Sequence, residues 1–314
     1  MGESTGTAGY DIFTGHLGHL STSQAEALVA FKIALTDAKL YDPAHPSPDD
    51  PTLLRFLRAR GFDPVGALKQ YSDYVAWRRE HDVDNLFATF DAEELERSRR
   101  FYSRWNGRRD KNGMPIVVYR LASLDSAIQK ELSAVPRERS YKRIIALYEG
   151  LVGFILPLSS FLPHPTKTPI TCVTTIVDLQ DVSIGGLWSL RGHINECTKL
   201  ATANYPETLN TIAIVNAPVF FPTIWGWIKG WLDPGTRAKI HVLGKNPAEN
   251  LLKLIDAKDL PRVYGGTLEW EFFDEPILDD AAKEVIGVMP RGPALFVNGA
   301  VVRPGQDNSH TNAL

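Results

Sequence analysis

Apolar residues recur at helical spacing from Thr22 to Leu40, where Ala27, Val29, Ala30, Ile33 and Leu35 form the predicted buried face. Ser21 or Thr22 stands where an N-cap is needed. Asp50-Pro51 and Asp63-Pro64 repeat one start signal, an Asp cap before a Pro at the first helical position, where the missing N–H costs nothing. Gly61 closes the helix between them, so residues 22–80 predict a small helical bundle ending in the basic pair Arg78–Arg79. Past Pro115 the pattern changes. Ile116–Tyr119, Ile170–Leu179, Leu209–Asn216 and Ile240–Leu243 read as strands. Ser140–Leu162, Leu187–Tyr205, Ile224–Trp231 and Ala248–Ala257 read as helices. Strands separated by helices of this length imply βαβ crossovers and a mainly parallel sheet, so the expected fold class is α/β behind a small helical domain.

Leu209–Ile228 carries no charge over twenty residues, long enough to be weighed as a membrane-spanning helix. Asn210, Asn216, Pro218 and Pro222 interrupt it, and Thr211–Val215 is β-branched, so a buried strand followed by a greasy surface helix fits better. That second half holds Phe220, Phe221, Ile224, Trp225, Trp227, Ile228 and Trp231. Gly226 and Gly230 lie among them and weaken a helix by roughly 1 kcal/mol each relative to Ala. Two readings stand: a core helix using Trp as filler, or a mobile lid over a lipid cavity that docks at a membrane interface, where Trp is favoured. In the second, Lys229 would meet anionic headgroups.

The 314 residues suffice for one large domain or a small and a medium one. The expected divisions are a flexible N-terminus (1–20), a helical domain (21–90), a larger domain (95–285) and a C-terminal tail (286–314), with Pro304–Leu314 unstructured. A net charge of -3 argues against nucleic-acid binding over the whole surface. Cys172 and Cys197 alone supply no disulfide framework and no metal-ligand spacing, and read as small core residues in a reducing compartment. The first twenty residues lack the basic start and apolar stretch of a signal peptide, and Gly6 breaks the myristoylation pattern that Gly2 begins.

No phosphate-loop, dinucleotide, nucleophile-elbow or zinc motif occurs, and the eight histidines are scattered. His241 reads as a core or rim residue, and no catalytic residue is assigned. The informative cations flank the greasy span. In Thr52–Asp63, Arg55 and Arg58 read as the solvated face of an amphipathic helix. Arg60, in the last turn, can reach past the helix end to bind a phosphate through two parallel hydrogen bonds. Leu232–Gly244 offers Thr236 and Lys239. Glu207, between a helix end and a strand, has three open roles: a solvated loop charge, an orienting partner for a cation, or an acceptor for a hydroxylated headgroup. Arg97–Lys111 holds seven basic residues and one acid around Phe101, Tyr102 and Trp105, and reads as a membrane-facing or solvated surface rather than a nucleic-acid site. Fixed cations beside an apolar span suggest a ligand anionic at one end and hydrocarbon at the other, which describes a phospholipid.

From about Thr22 to Gly266 the chain resembles the Sec14-like phosphatidylinositol transfer proteins, whose lipid-binding module is called CRAL-TRIO. The resemblance rests on LLRFLRARGFD, DKNGMPI at 110–116, TTIVDLQDVSI at 174–184, NYPETL and IVNAP at 204–218, LDPGTRAKIHVLG, and LPRVYGG at 260–266. It implies a helical N-terminal domain and an α/β domain with a sheet-floored lipid pocket and a hydrophobic gating helix, here the Trp-rich segment. It further implies that Arg60, Thr236 and Lys239 hold a phosphoinositol headgroup, with Glu207 in the same network. Gly61 stands where the family often adds another basic residue, which weakens the site.

The choline-lipid site of the family is poorly matched. Its two tyrosines fall on Asn106 and Val117, two serines on Val173 and Ala201, and Thr175 alone survives, while Tyr119 replaces an acid. The resemblance therefore implies phosphatidylinositol as cargo and a different hydrophobic molecule as second ligand. The expectation is a non-enzymatic, monomeric carrier, cytoplasmic and peripherally bound to Golgi, endosomal or endoplasmic-reticulum membranes. It needs no cofactor beyond the bound phospholipid, and phosphoinositide kinases are candidate partners. The rival readings are a carrier of a sterol, tocopherol-like molecule or haem on the same fold, and a lipid hydrolase.

Overall fold

The structure is a computed structural model that describes residues 12–45, 47–123, 126–230, 234–244 and 246–305. Its first part is helical: α1 (Thr22–Asp37), α2 (Asp50–Ala59), α3 (Pro64–Glu80), α4 (Val83–Ala88) and α5 (Ala92–Ser98). Ser21 caps α1 in a reciprocal pair with Gln24. Asp63 caps α3 as expected, but α2 starts one residue early, capped by Asp49 with Pro51 in its first turn. The buried face of α1 differs from the predicted one. Leu28, Phe31 and Leu35 point inward, while Val29 and Ile33 are more than half exposed. Consecutive helical positions turn by about 100°, so neighbouring apolar stripes compete. The larger Phe31 and the Leu pair pack against Leu53, Phe56 and Tyr71.

A sheet follows, made of β1 (Arg104–Arg109), β2 (Pro115–Arg120), β3 (Val173–Asp178), β4 (Leu209–Val215) and β5 (Ile240–Gly244) in that spatial order. β1 and β2 form an antiparallel hairpin, and the other pairs are parallel. The connections carry α6 (Ser126–Ala134), α7 (Arg137–Gly150), α8 (Leu156–Phe161), α9 (Ile184–Asn204), α10 (Phe221–Ile228) and α11 (Pro234–Ala238). Right-handed crossovers between strands that follow one another in a single direction put every connecting helix on the same face. α12 (Ala248–Leu254) and the chain to Phe272 cover the opposite face.

Alternation along the strands then divides the residues. Ile116, Val118, Ile176, Ala213 and Val215 pack solidly with Leu251, Ile255, Leu260 and Trp270 at the back. Val117, Tyr119, Thr175, Val177, Ile212 and Ile214 face the crossover helices at the front. Leu209–Ile228 is strand followed by helix, as the β-branched run predicts. Arg137–Phe161, continuous through a π-turn at Leu151–Ile155, is the one described helical run long and apolar enough to cross a membrane. Ile144, Ile145, Ala146, Phe154 and Leu158 on it are buried inside the protein.

Three expectations need correction. The N-terminal residues 12–20, expected to be flexible, pack against the large domain: Phe13 and His16 are buried, and His16 Nδ1 lies 3.4 Å from Thr171 Oγ1. After α13 (Asp280–Ile286), the expected tail forms a hairpin of β6 (Leu295–Val297) and β7 (Ala300–Val302), with Phe296 buried against Phe154. Residues 306–314 lie outside the described residues.

The basic stretch Arg97–Lys111 is mostly tied inward rather than free at a surface. Arg104 donates to the Phe272 carbonyl at 2.6 Å, Arg108 pairs with Asp259 at 3.3 Å, and Arg109 with Asp279 at 2.8 Å. Six of its residues form β1, whose Arg-rich composition hides its role as the edge strand of the sheet.

Candidate lipid-binding site

Between the sheet and its crossover helices lies a cavity of about 400 Å³. At the roughly 10–15 Å³ that a water takes on the same measure, this is room for roughly thirty waters. Most of its lining is apolar: Val117, Val173, Ile212 and Ile214 form the floor, while Phe154 and Leu147 close the helical side. A dry hydrocarbon guest suits such walls better than water does.

The headgroup residues predicted from sequence meet only in part. Lys239 Nζ is 2.8 Å from Glu207 Oε2, and both side chains are three-quarters buried. Thr236 lines the cavity, and its carbonyl accepts the Lys239 N–H at 3.1 Å. Glu207 has φ of 57°, a left-handed conformation that costs an acidic residue energy and marks a position held by its surroundings.

Those surroundings are two arginines assigned to water above. Arg55, 7% exposed, donates to the Pro206 carbonyl at 3.0 Å. Arg58 donates to the Glu207 carbonyl at 3.1 Å, and its Nε lies 3.7 Å from the Glu207 carboxylate. Burial lowers the pKa of both guanidinium groups, with Glu207 opposing that shift at Arg58. The solvated reading fails because α2 packs this face on the 204–208 loop, whose bent backbone leaves carbonyls that need donors. Arg58 and Lys239 share the one Glu207 carboxylate, and the neighbouring Thr208, Thr236 and Ile240 line the cavity.

Arg60 is not part of that cluster. It is exposed, donates weakly to the Ala59 carbonyl, and makes no hydrogen bond or ion pair with Glu207, Thr236 or Lys239. The helix end explains its position. Gly61 N donates to the Arg58 carbonyl and Phe62 N to the Leu57 carbonyl, a Schellman closure that requires Gly61 at φ of 58°. Arg60 is the cap residue and turns toward Gly66 of α3.

A polar latch holds the same loop from the other side. Glu149 on α7 accepts from Arg78 at 2.8 and 3.2 Å and from the Tyr205 hydroxyl at 2.6 Å. Tyr205 stacks on Tyr148, which lines the cavity, with ring centroids 4.7 Å apart. Gln70 of α3 donates to the Thr202 and Ala203 carbonyls at the end of α9. Helical domain and lipid domain thus grip one loop together.

In the predicted gating segment, Phe221 is buried and stacks with Trp225, and both line the cavity. Phe220 is half-buried against the same core. Pro222, Thr223, Gly226, Lys229 and Gly230 are exposed, so α10 is a thin cover with one face inward. It starts three residues before the predicted helix. Trp231 lies outside the described residues, as do the side chains of Ile224, Trp227 and Ile228.

Of the six second-ligand positions, Val117, Tyr119, Val173, Thr175 and Ala201 line the cavity. Asn106 does not. It is fully buried at the back, donating to the Asp259 carbonyl at 3.4 Å and accepting the Arg108 N–H. Trp105 pairs with Val117 across β1 and β2, so its neighbour Asn106 points the other way. Cys172 is a buried free thiol pushed up to about 11 by burial, as a core reading requires. Cys197 instead lines the cavity.

Residues 100–266 match the CRAL/TRIO domain and residues 17–73 the CRAL/TRIO N-terminal domain. The chain belongs to the CRAL/TRIO family. It is 36% identical over 238 residues to the phosphatidylinositol/phosphatidylcholine transfer protein SFH7 of Arabidopsis thaliana, covering 76% of this chain and 42% of that one. It is 32% identical over 255 residues to the Sec14 cytosolic factor of Schizosaccharomyces pombe, covering 81% and 86%. The chain therefore spans less than half of the plant relative and most of the yeast one. The crystal structure of Sfh5 superposes with a TM-score of 0.60 at 16% identity, over 83% of this chain and 93% of that one, a likeness of fold.

Proposed function

We propose that this protein is a carrier that binds phosphatidylinositol and exchanges it between membranes. The observation that carries the reading is the Glu207–Lys239 pair, backed by Arg58, next in sequence to Thr208 and Ile240, which line a mostly apolar cavity in a CRAL/TRIO domain. Each acyl CH₂ left in water costs about 0.8 kcal/mol, so a carrier must enclose both tails. Lys239 and Thr236 would hold the phosphate, with Arg60 as a further cation that pairs with no carboxylate among the described residues. Glu207 would fix the Lys239 ammonium and accept inositol hydroxyls. Glu207 would then keep this end from being so cationic that the headgroup cannot leave.

Phe221 and Trp225 on α10 would form the inner surface of a lid that opens at the bilayer, so the tails pass from membrane to cavity without crossing water. The names of the relatives support phosphatidylinositol and phosphatidylcholine as their cargo. Here Val117, Val173 and Ala201 offer a choline headgroup no polar group, which favours phosphatidylinositol. The carrier would act as a cytoplasmic monomer, transiently on Golgi, endosomal or endoplasmic-reticulum surfaces. It would supply phosphoinositide kinases without turnover chemistry of its own, with bound phospholipid its only non-protein group. The test is vesicle-to-vesicle transfer of labelled phosphatidylinositol. Arg60→Ala combined with Lys239→Ala should abolish transfer while circular dichroism stays unchanged; undiminished transfer would reject the reading.

A further inference from the structure

One row of residues floors the cavity across the whole sheet. Ile240, next in sequence to Lys239, is in register with Ile212, Thr175, Val117 and Trp105, and all five line the space. Four strand spacings make this floor roughly 19 Å long. The tail of a membrane lipid spans roughly 15 Å, half the hydrocarbon thickness of a bilayer. With the glycerol taking up the remainder, a tail whose phosphate is held at Lys239 would end near Trp105.

The wall at that end is built by residues 287–294, the strap between α13 and β6. Met289, Pro290, Gly292 and Ala294 line the cavity, and Met289 packs on the cluster that holds Trp105, Val117 and Phe154. The strap is tied down. Gly292 N donates to the Glu96 carboxylate at 2.8 Å, and a Cβ on Gly292 would lie 2.6 Å from that of Ala92. Arg303 donates to the Arg291 and Pro293 carbonyls at 2.6 and 2.9 Å. Arg99 and Arg104 also line the cavity, but Arg99 pairs with Glu96 at 3.1 Å and Arg104 donates to the Phe272 and Asp274 carbonyls. Their apolar stems can border a tail while their charged heads keep these partners. On α7, Gly150 lines the cavity with a helical backbone, and a Cβ there would meet no atom within 4 Å. Three residues on, Gly153 touches Leu295, where the strap ends. The strap lies beyond residue 266, where the CRAL/TRIO match stops.

We propose that this end wall, Met289 and Ala294 of the strap with Gly150 of α7, sets the length of acyl chain that the carrier accepts. The proposal rests on the reading of the cavity as a phospholipid site, and adds which chains that site selects. Purified full-length protein is equilibrated with vesicles holding a mixture of phosphatidylinositols whose saturated tails run from lauroyl to arachidoyl. Mass spectrometry gives the total retained lipid and the ratio of stearoyl to myristoyl lipid. Each methylene that the wall turns away should cost about fourfold in retention, the equivalent of about 0.8 kcal/mol. Gly150→Leu, which fills the end of the cavity, should lower the ratio about tenfold or more. Gly150→Ala, which a helix favours over Gly, should lower it by less. Met289→Ala, which thins the wall, should raise it about fourfold. Lys239→Ala should cut total retention and leave the ratio unchanged. An unchanged ratio in Gly150→Leu, or loss of all chain lengths alike, overturns the proposal. If that variant does not fold, an unchanged ratio in Gly150→Ala and Met289→Ala overturns it. Undiminished retention in Lys239→Ala rejects the headgroup reading alone, so the two failures are distinct.

Discussion

Thr174 and Thr175 are neighbours on β3, yet they belong to two different materials. Thr174 points to the back of the sheet, where its hydroxyl donates to Asp110 at 2.7 Å, and Asp110 also accepts the Met114 and Asn112 amides of the β1–β2 turn. Thr175 points to the front, and its hydroxyl has no partner. The back face is filled by side chains in van der Waals contact. The front face is built from the same strands but left hollow, with groups waiting for a guest.

That contrast can be tested with one residue type on both faces. Ile176→Ala at the packed back should cost about 4 kcal/mol, because the cavity it leaves cannot collapse. Ile214→Ala, which enlarges a space already open, should cost about half as much. Denaturant midpoints of the two variants measure the difference, and equal losses would mean the front is packed as tightly as the back.

If the front is held open by polar ties rather than by filling, cutting one should be costly. Arg78→Ala leaves the Glu149 carboxylate, 10% exposed, with only the Tyr205 hydroxyl, and should destabilise by about 3 kcal/mol. Loss of phosphatidylinositol retention should accompany it, since Tyr205 adjoins the 206–208 loop.

Acid should also weaken the front face. His193 sits at about 4 instead of 6.5, so between those values the unfolded chain binds the extra proton and folding stability falls as pH falls. His193 is only partly buried, so the loss by pH 4 should be roughly 2 kcal/mol rather than the full value of the shift. It should be absent in His193→Leu when unfolding is followed at pH 7 and pH 4.5.

The smallest effects come from the threonines themselves. Thr174→Val should cost about 2 kcal/mol, since it takes a hydrogen bond from a buried carboxylate. Thr175→Val should be neutral or slightly stabilising, because it removes a hydroxyl that bonds to nothing.

Much of this architecture is legible in the chain. β2 to β5 and their crossovers follow from β-branched runs separated by helical ones, and the Asp63-Pro64 start and the Gly61 stop mark α2 and α3 to within a residue. β1 escapes because an edge strand tolerates Arg and Asn, so its composition suggests a surface. α1 shows the limit of periodicity: Val29 and Ile33 fit an apolar face as well as Leu28 and Phe31, and the choice belongs to the partner helices.

The sequence by itself determined β2 to β5, the crossover helices and their order, and it offered cations, one acid and a greasy cover as candidate groups for a ligand. Which arginine serves which purpose was decided only in three dimensions. Arg58 and Arg60 differ by two positions, a turn of about 200° on a helix. One therefore clamps the strained Glu207 loop, and the other remains in solvent. The gathering of Tyr102, His193 and Cys197 likewise exists only because the turn before β1 and α9, some ninety residues apart, meet at the cavity. Local pattern sets which face of an element is apolar, but what stands opposite that face depends on how the chain crosses over.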